Sequence, residues 1–203
     1  MLILCSNGLT SEQLLTAVAA RTSDKRSAAL VVTADHEYKE RNYHVPRCVK
    51  ELSSLGLSVD LFDLDTAPAE ALLSYDVVEF IGGNPFYLMH SIREHGAEPV
   101  LRTIAKERVL IGWSAAAFVF GPSLKLVNEY SPELNTAAME NLLGLSLTGA
   151  YILPHYSKFL NRFERFEERC GEYERSRQVQ VIRLNDGEGV LIDGEDIAVC
   201  RVP

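Results

Sequence analysis

A serine stands where a predicted strand passes into a predicted helix of small residues. In VLIGWSAAA (residues 109–117), an apolar run reaches Gly112, Ser114 follows two positions later, and three alanines come next. Strand–Gly–x–Ser–x–small–helix is typical of a nucleophile elbow, a sharp turn that projects the serine oxygen from the carboxyl end of a sheet. The amide N–H of Ala115 would then face an oxyanion formed there. The alternative is that Ser114 is only a small residue in a tight turn.

A serine nucleophile needs a general base, and His155 is the best placed histidine. It ends a strand-like run in ILPHYS (residues 152–157), whereas the other four histidines lie in polar or helical segments. Two carboxylates are candidates for orienting its imidazole and stabilising the cation that forms during reaction. Glu129 follows the elbow helix, and Asp186 follows a late predicted strand. The residues alone leave both candidates open.

A second glycine turn, IGGNPF (residues 81–86), closes another predicted strand. Two glycines permit close backbone approach, so Gly83 or Asn84 could present a second N–H toward an oxyanion. The alternative is a simple turn before a helix. In that interpretation Asn84 is the N-cap, Pro85 the first helical residue, and Gly96 the residue past the end.

The elements that position these residues alternate between strands and helices. Apolar runs predict strands at residues 2–5, 28–34, 57–64, 75–83 and 108–114. Helical patterns fall at residues 11–22, from near Pro46 to Leu55, and at residues 84–96. This rhythm predicts an α/β fold with a mostly parallel central sheet and helices on both faces. Residues 179–202 contain short strands joined by Asp-Gly turns, which predicts a small C-terminal antiparallel ribbon. A single domain over residues 1–203 is the simplest organisation.

The composition narrows the class of partner. A net charge of −8 argues against nucleic acid or an anionic membrane surface as the main partner. No apolar run reaches the roughly 18 residues of a membrane-spanning helix. The first strand begins directly after Met1, so we expect a cytoplasmic protein. The four cysteines show neither a CxxC pair nor zinc-site spacing, and none lies in a turn that would present a nucleophile. We therefore expect no metal and no organic cofactor.

Several motifs together resemble one family. SNG (residues 6–8), IGGNPFYL, IGWSAAA, LPHYS and LNDGEGVLIDG are similar, in this order, to the motifs of the aspartyl dipeptidase (dipeptidase E) family. That family shares the fold of the class I glutamine amidotransferases, and cyanophycinase is a more distant relative. The resemblance spans nearly the whole chain. It implies a serine peptidase in which Ser114 attacks, His155 is the general base, and Gly83 and Ala115 form the oxyanion hole.

The resemblance does not choose between the two carboxylates. Glu129 is similar in position to the family's acidic residue soon after the serine. Asp186 resembles the late acidic residue that completes a triad in such folds. Both remain candidates for the third catalytic residue.

The resemblance also implies dipeptides with an N-terminal aspartate as substrates, which requires a cation for the aspartate side chain. Arg162, Arg165 and Arg169 recur at helical spacing among glutamates, a pattern that by itself favours a solvated helix with i,i+3 and i,i+4 pairs. By the family's spacing, Arg169 is the predicted bidentate clamp, with Lys158 as the fallback. Asn84 is the second predicted substrate-binding residue.

Three phenylalanines lie on the same stretch, at positions 159, 163 and 166. We expect them to pack the helix onto the sheet or to form a subunit contact, so a homodimer stays open.

Departures from the family pattern leave alternative functions open. The family elbow reads Gly-Trp-Ser-Ala-Gly, whereas this chain has Ala116 at the last position. The usual GGGNT is IGGNP here, and Pro85 removes a backbone N–H. One alternative is therefore a catalytically silent, amidotransferase-like binding module. Another is a relative acting on β-aspartyl or cyanophycin-like peptides. A glutamine amidotransferase is disfavoured because Ser114 stands where that chemistry uses cysteine.

The preferred hypothesis is a cytosolic serine exopeptidase that hydrolyses small peptides through a Ser-His-acid acyl-enzyme mechanism.

Overall fold

The computed structural model describes residues 1–202, which form nine strands and eight α-helices. The strands are β1 (Leu2–Cys5), β2 (Ser27–Val31), β3 (Ser58–Phe62), β4 (Val77–Phe80), β5 (Val109–Trp113), β6 (Tyr151–Leu153), β7 (Val181–Arg183), β8 (Gly189–Asp193) and β9 (Asp196–Cys200). The helices are α1 (Glu12–Thr22), α2 (Val45–Ser54), α3 (Pro85–Glu94), α4 (Glu98–Glu107), α5 (Ala115–Phe120), α6 (Lys125–Tyr130), α7 (Tyr156–Arg162) and α8 (Phe166–Arg177). Short 3-10 helices lie at Lys39–Arg41, Ala69–Ser74 and Pro132–Leu134.

The central sheet has the strand order β3-β2-β4-β5-β1-β8-β9. The first five strands in this order pair in parallel, and β8 and β9 pair antiparallel to their neighbours. The predicted mostly parallel α/β fold is therefore confirmed. The pairing of β1 with β5 sets Cys5 opposite Trp113, so the residues that follow these two strands emerge side by side. One of them is Ser114.

Helices cover both faces of the sheet, which explains the continuous apolar character of its strands. Along β1, Leu2 and Leu4 pack into the core beneath α3 to α6 and α8, whereas Ile3 and Cys5 pack beneath α1 and α2. Alternate side chains of one strand thus enter opposite layers. The parallel strands end at a common edge of the sheet, and Ser114 lies at this edge.

Local signals predicted the helix ends well. Helix α2 begins at Val45 with Pro46 in its first turn, and Gly56 follows its end with a φ of +83°. Helix α3 begins at Pro85, and the Asn84 side chain accepts hydrogen bonds from two backbone amides of its first turn. These caps confirm the predicted boundaries.

The C-terminal ribbon is only partly as predicted. Strands β8 and β9 form the expected hairpin, closed by a turn in which Gly194 has a φ of +63°. Strand β7, however, pairs in parallel with β6 in a separate two-stranded sheet. The turn at Asp186 and Gly187 does not fold the chain back on itself. It carries the chain from this small sheet to β8, beside β1.

The small residues of the elbow allow α5 to approach β5 closely. A Cβ placed on Gly112 would lie 2.6 Å from the Phe120 ring and 3.0 Å from the Ala116 Cβ. Because Gly112 has no side chain, Ala116 is accommodated, fully buried, in the position that the family pattern gives to glycine. The altered elbow is thus compatible with close packing of strand and helix.

Among residues 1–202, no helix is both long enough and apolar enough to cross a lipid bilayer.

Candidate active site

Ser114 lies in a strained turn at the carboxyl end of β5. Its backbone has φ 54° and ψ −109°, and such a positive φ is rare in residues other than glycine. The Ser114 N–H donates to the Cys5 carbonyl at 3.1 Å, which ties the turn to the neighbouring strand. Backbone strain of this kind persists only where the surrounding structure enforces it, and it clusters at functional sites.

The imidazole of His155 meets this serine from the small sheet. His155 lies between β6 and α7 and has a left-handed backbone with φ 56° and ψ 28°. Its Nε2 is 3.0 Å from Ser114 Oγ, within hydrogen-bond distance. The structure therefore brings together the two residues that the sequence predicts as nucleophile and general base.

Asp186 completes this row of contacts. Its Oδ1 is 2.7 Å from His155 Nδ1, and its Oδ2 is 2.5 Å from Lys158 Nζ. A carboxylate at this position favours the tautomer in which Nδ1 carries the proton, leaving Nε2 free to accept one from Ser114. Burial alone would raise the pKa of the Asp186 carboxyl. The hydrogen bonds from His155, Lys158 and Ser6 outweigh burial and hold that pKa well below its ordinary value.

Glu129 lies outside this arrangement. It is an exposed residue of α6, and its backbone carbonyl, rather than its carboxylate, accepts a hydrogen bond from the Arg169 guanidinium. Of the two carboxylates left open by the sequence, Asp186 is the one beside His155.

Ser6 was not among the predicted site residues, yet it contacts two of them. Its hydroxyl donates to Asp186 Oδ1 at 2.8 Å and accepts from the backbone N–H of His155 at 2.8 Å. The signal available in the sequence was positional. Ser6 follows β1 directly, and parallel pairing of β1 with β5 places it beside the turn that carries Ser114.

Two backbone amides face the serine without a partner. Gly83 and Ala115 both line the cavity beside Ser114, and within residues 1–202 neither amide N–H finds a hydrogen-bond acceptor. Gly83 has a φ of +154°, and a Cβ there would lie 2.3 Å from the Ala34 carbonyl oxygen. Only glycine fits this turn. The amide of Asn84, by contrast, donates to that same carbonyl at 2.8 Å, so of these two amides Gly83 has the one without an acceptor among residues 1–202.

The side chain of Asn84 is engaged elsewhere, contrary to its predicted role in substrate binding. Its Oδ1 accepts from the amides of Phe86 and Tyr87, and its Nδ2 donates to the Leu134 carbonyl at 2.8 Å. It does not line the cavity at Ser114. Its structural role is to cap α3 and to hold the segment after α6 against it.

A cavity of about 160 Å³ opens beside Ser114 and His155. Most of its wall is apolar, with Phe118, Tyr130 and Phe159 among the lining residues. Two charged side chains, Glu133 and Arg162, line it as well. Its size and lining suit one short side chain with a polar or charged end.

The predicted substrate clamp is not where the family spacing put it. Arg169 on α8 donates to the Glu129 carbonyl and does not line the cavity, and the fallback Lys158 pairs with Asp186. Arg162, in the last turn of α7, is the arginine that lines the cavity. Helix α7 starts directly after His155 and ends at Arg162, so Arg162 stays beside the site.

The three phenylalanines pack internally. Phe159, Phe163 and Phe166 surround the ring of Tyr130, with centroid distances between 5.1 and 5.2 Å. This cluster joins α6 to α7 and α8 and forms the back of the cavity. A homodimer stays a prediction.

A mostly parallel sheet with a strained serine at the end of an inner strand, and an imidazole beside it, defines an α/β enzyme of the nucleophile-elbow class. Residues 2–200 match the model of peptidase family S51, and the chain belongs to that family. It is therefore a peptidase.

Relatives agree with this membership, and solved structures agree with the fold. The chain is 26% identical over 170 residues to the peptidase Lmo0363 of Listeria monocytogenes, covering 81% of each chain. It is 27% identical over 159 residues to peptidase E of Escherichia coli O6:K15:H31, covering 78% of this chain and 67% of the relative. A solved structure described as a peptidase E protein from Listeria monocytogenes EGD-e superposes with a TM-score of 0.77 at 23% identity, covering 100% of this chain and 98% of the other. A peptidase from an acI-B1 Actinobacterium gives a TM-score of 0.66 at 15% identity, covering 93% and 81%. Both structures share the fold.

Proposed function

We propose that this peptidase is a serine exopeptidase that hydrolyses dipeptides with an N-terminal aspartate through an acyl-enzyme. The observation that carries the proposal is the continuous row of contacts from Ser114 Oγ through the His155 imidazole to Asp186, with distances of 3.0 and 2.7 Å. This is the geometry that a nucleophile, a general base and an orienting carboxylate require.

In the proposed reaction, Ser114 Oγ attacks the carbonyl carbon of the aspartyl residue while His155 Nε2 takes the hydroxyl proton. The negative charge on the carbonyl oxygen is stabilised by the amides of Gly83 and Ala115. The peptide C–N bond then breaks as His155 returns the proton to the leaving amine. Water attacks the resulting ester with help from the same imidazole, which releases aspartate and regenerates Ser114. Asp186 remains ionised throughout and stabilises the imidazolium.

Arg162 and Glu133 support the choice of substrate. The cavity is small, and the guanidinium of Arg162 lies in its wall, which suits the β-carboxylate of a short acidic side chain. Glu133 offers the opposite charge, which suits the free α-amino group of a dipeptide. A substrate with both charges on one residue, an N-terminal aspartate, would satisfy both side chains. Arg162 thus takes the role that the family spacing gave to Arg169.

A panel of peptides tests the proposal. Asp-X dipeptides are compared with Asn-X, N-acetyl-Asp-X and β-linked Asp-X, using wild type and Ser114→Ala in parallel. Wild type is expected to prefer free α-Asp-X, and Ser114→Ala to lose at least about 10³-fold in kcat. Preference for the β-linked peptides would redirect the proposal to isoaspartyl substrates.

The catalytically silent alternative has its own outcome in this experiment. If wild type neither hydrolyses the panel nor reacts with a serine-directed phosphonate probe, the proposed catalytic role of Ser114 is wrong. A matched probe reaction with Ser114→Ala controls for labelling elsewhere.

A further inference from the structure

Three side chains able to bind a metal lie together on the face of the sheet opposite the cavity. Cys48 and Glu51 occupy positions i and i+3 of α2 and therefore share one side of the helix. Glu79 projects toward them from β4, an inner strand. One ligand atom from each of the three residues lies within 4.8 Å of the others.

Glu79 is the unusual member of this cluster. It is fully buried, and within residues 1–202 neither of its carboxylate oxygens has a hydrogen-bond partner. The indole N–H of Trp113 lies near enough to lower the Glu79 pKa slightly, but it too lacks a hydrogen-bond partner. A buried, unpaired carboxylate is costly, so a native protein neutralises it with a proton or a cation.

We propose that Cys48, Glu51 and Glu79 bind one divalent cation of the zinc type. A thiolate with two carboxylates is a mixed soft and hard donor set, which suits a borderline ion such as Zn²⁺ or Co²⁺ better than Mg²⁺ or Ca²⁺. The charges balance when Arg47, which pairs with Glu51 at 2.6 Å, is included. One thiolate and two carboxylates then offset the dication and one guanidinium.

Binding displaces protons. Cys48 and Glu79 bind a cation as a thiolate and a carboxylate, so each gives up the proton that its neutral form holds. The cation takes the place of these two protons, which pass to solvent. No oxidation or reduction is involved.

The local geometry allows the cation to be enclosed with small adjustments. Ligand atoms around a tetrahedral zinc lie about 3.5 Å apart, given bond lengths of about 2.0–2.3 Å. The three ligand atoms lie within 4.8 Å of one another, so small side-chain movements would bring them to that separation. Arg47 bridges the cluster to the Asn7 carbonyl at 2.9 Å, and its side chain is 30% exposed. It therefore lies between the cluster and solvent, where its movement would admit an ion.

The experiment uses the chelator-treated full chain and adds Co²⁺ or Zn²⁺. Trp113 is the only tryptophan and neighbours Glu79, so its fluorescence reports on this position. We expect one equivalent of Co²⁺ to produce a thiolate-to-cobalt absorption band and to quench Trp113. Zn²⁺ should compete for the same site. Cys48→Ser should abolish the band, and Glu79→Gln should weaken affinity at least tenfold.

Two other cysteines provide controls. Cys170→Ser removes a buried thiol from the opposite face of the sheet, and Cys200→Ser removes a half-buried one. Both variants should bind Co²⁺ like wild type. Absence of stoichiometric binding by wild type, a cobalt band unchanged in Cys48→Ser, or an affinity unchanged in Glu79→Gln would each overturn the proposal. Glu79→Gln changes no volume, so it decides the matter even if Cys48→Ser fails to fold.

Discussion

The hydroxyl of Ser6 donates a 2.8 Å hydrogen bond to the Asp186 carboxylate and at the same time accepts one from the backbone N–H of His155. One side chain thus connects the carboxylate to the residue that it orients. Ser6 does not touch the cavity at Ser114, so it is a positioning residue in the proposed mechanism.

Ser6→Ala should lower kcat about 30-fold and leave KM nearly unchanged, because two hydrogen bonds worth about 1 kcal/mol each are lost from the Asp186–His155 pair rather than from the substrate site. The measurement is the kcat and KM for an Asp-X dipeptide. Ser6→Thr keeps the hydroxyl and should recover part of the loss. An effect confined to KM would contradict the positioning role.

Asp186→Asn should lower kcat by about 10⁴, since an amide favours the wrong imidazole tautomer and cannot stabilise its cation. Glu129→Gln is the matched control, and it should retain wild-type kcat because its side chain is exposed on α6. Side-by-side kinetics of the two variants make the measurement. The reverse pattern would assign the third catalytic role to Glu129.

Arg162→Met should raise KM for Asp-X dipeptides about tenfold, because a charge-assisted contact to the substrate carboxylate is lost at a partly solvated position. The Arg162→Met substitution should change the hydrolysis of Asn-X dipeptides little. The preference of the enzyme for Asp-X over Asn-X should therefore become smaller. Arg169→Met removes a guanidinium that does not line the cavity and should change neither constant. An increase in KM for the Arg169 variant without one for the Arg162 variant would show that Arg169 binds the substrate carboxylate, as the family spacing predicts.

Gly83→Ala should destabilise the fold by at least about 2 kcal/mol and abolish activity, because the turn has a left-handed φ and no room for a methyl group. The nearest atom would be the Ala34 carbonyl oxygen, 2.3 Å away. Gly149→Ala, where a Cβ meets nothing within 4 Å, should shift stability by less than about 0.5 kcal/mol. Urea unfolding of both variants checks this. Wild-type stability of Gly83→Ala would show that the turn can relax.

Glu79 should make stability depend on pH in chelator-treated protein. Burial raises its pKa to about 8, above the value of about 4.3 expected for an unfolded chain, so the folded state holds a proton that the unfolded state has released. The contribution of Glu79 to the free energy of unfolding is therefore fully present below about pH 4.3, and it decreases as the pH rises toward 8. Glu79→Gln removes this term. The melting temperature of wild type minus that of Glu79→Gln should decline from pH 5 to pH 9, and a constant difference would refute the assignment.

Patterns among neighbouring residues predict much of the fold and the position of the serine in the site. Gly112, Ser114 and the alanines after it define a strand, a turn and a helix within nine residues, and Asn84 with Pro85 defines a helix start. Such features depend on neighbouring residues, so the sequence contains them. The choice between Glu129 and Asp186 depends instead on β7 pairing with β6, a contact between strands about 30 residues apart. The Asp-Gly turn suggested a hairpin there, and only the alternative pairing brings Asp186 to His155.

The sequence could not predict which arginine lines the cavity, for a similar reason. Helical spacing would set Arg162 and Arg169 on one face, about two turns apart, but a break after Arg162 separates α7 from α8. Which arginine faces the cavity is decided by the aromatic packing around Tyr130. That packing is a tertiary property, and spacing along one helix does not encode it.

The small two-stranded sheet carries both His155 and Asp186. Hydrogen bonds continue past the ends of its two strands, with Leu184 N–H donating to the Leu153 carbonyl and Tyr156 N–H to the Leu184 carbonyl. The imidazole and its carboxylate therefore both follow strands of the small sheet, whereas Ser114 follows a strand of the central sheet. Tilting one sheet against the other would lengthen the reach to the serine without weakening the acid–imidazole pair. A substitution that shifts the small sheet should therefore change the distance from His155 Nε2 to Ser114 Oγ before it changes the distance from His155 Nδ1 to Asp186 Oδ1.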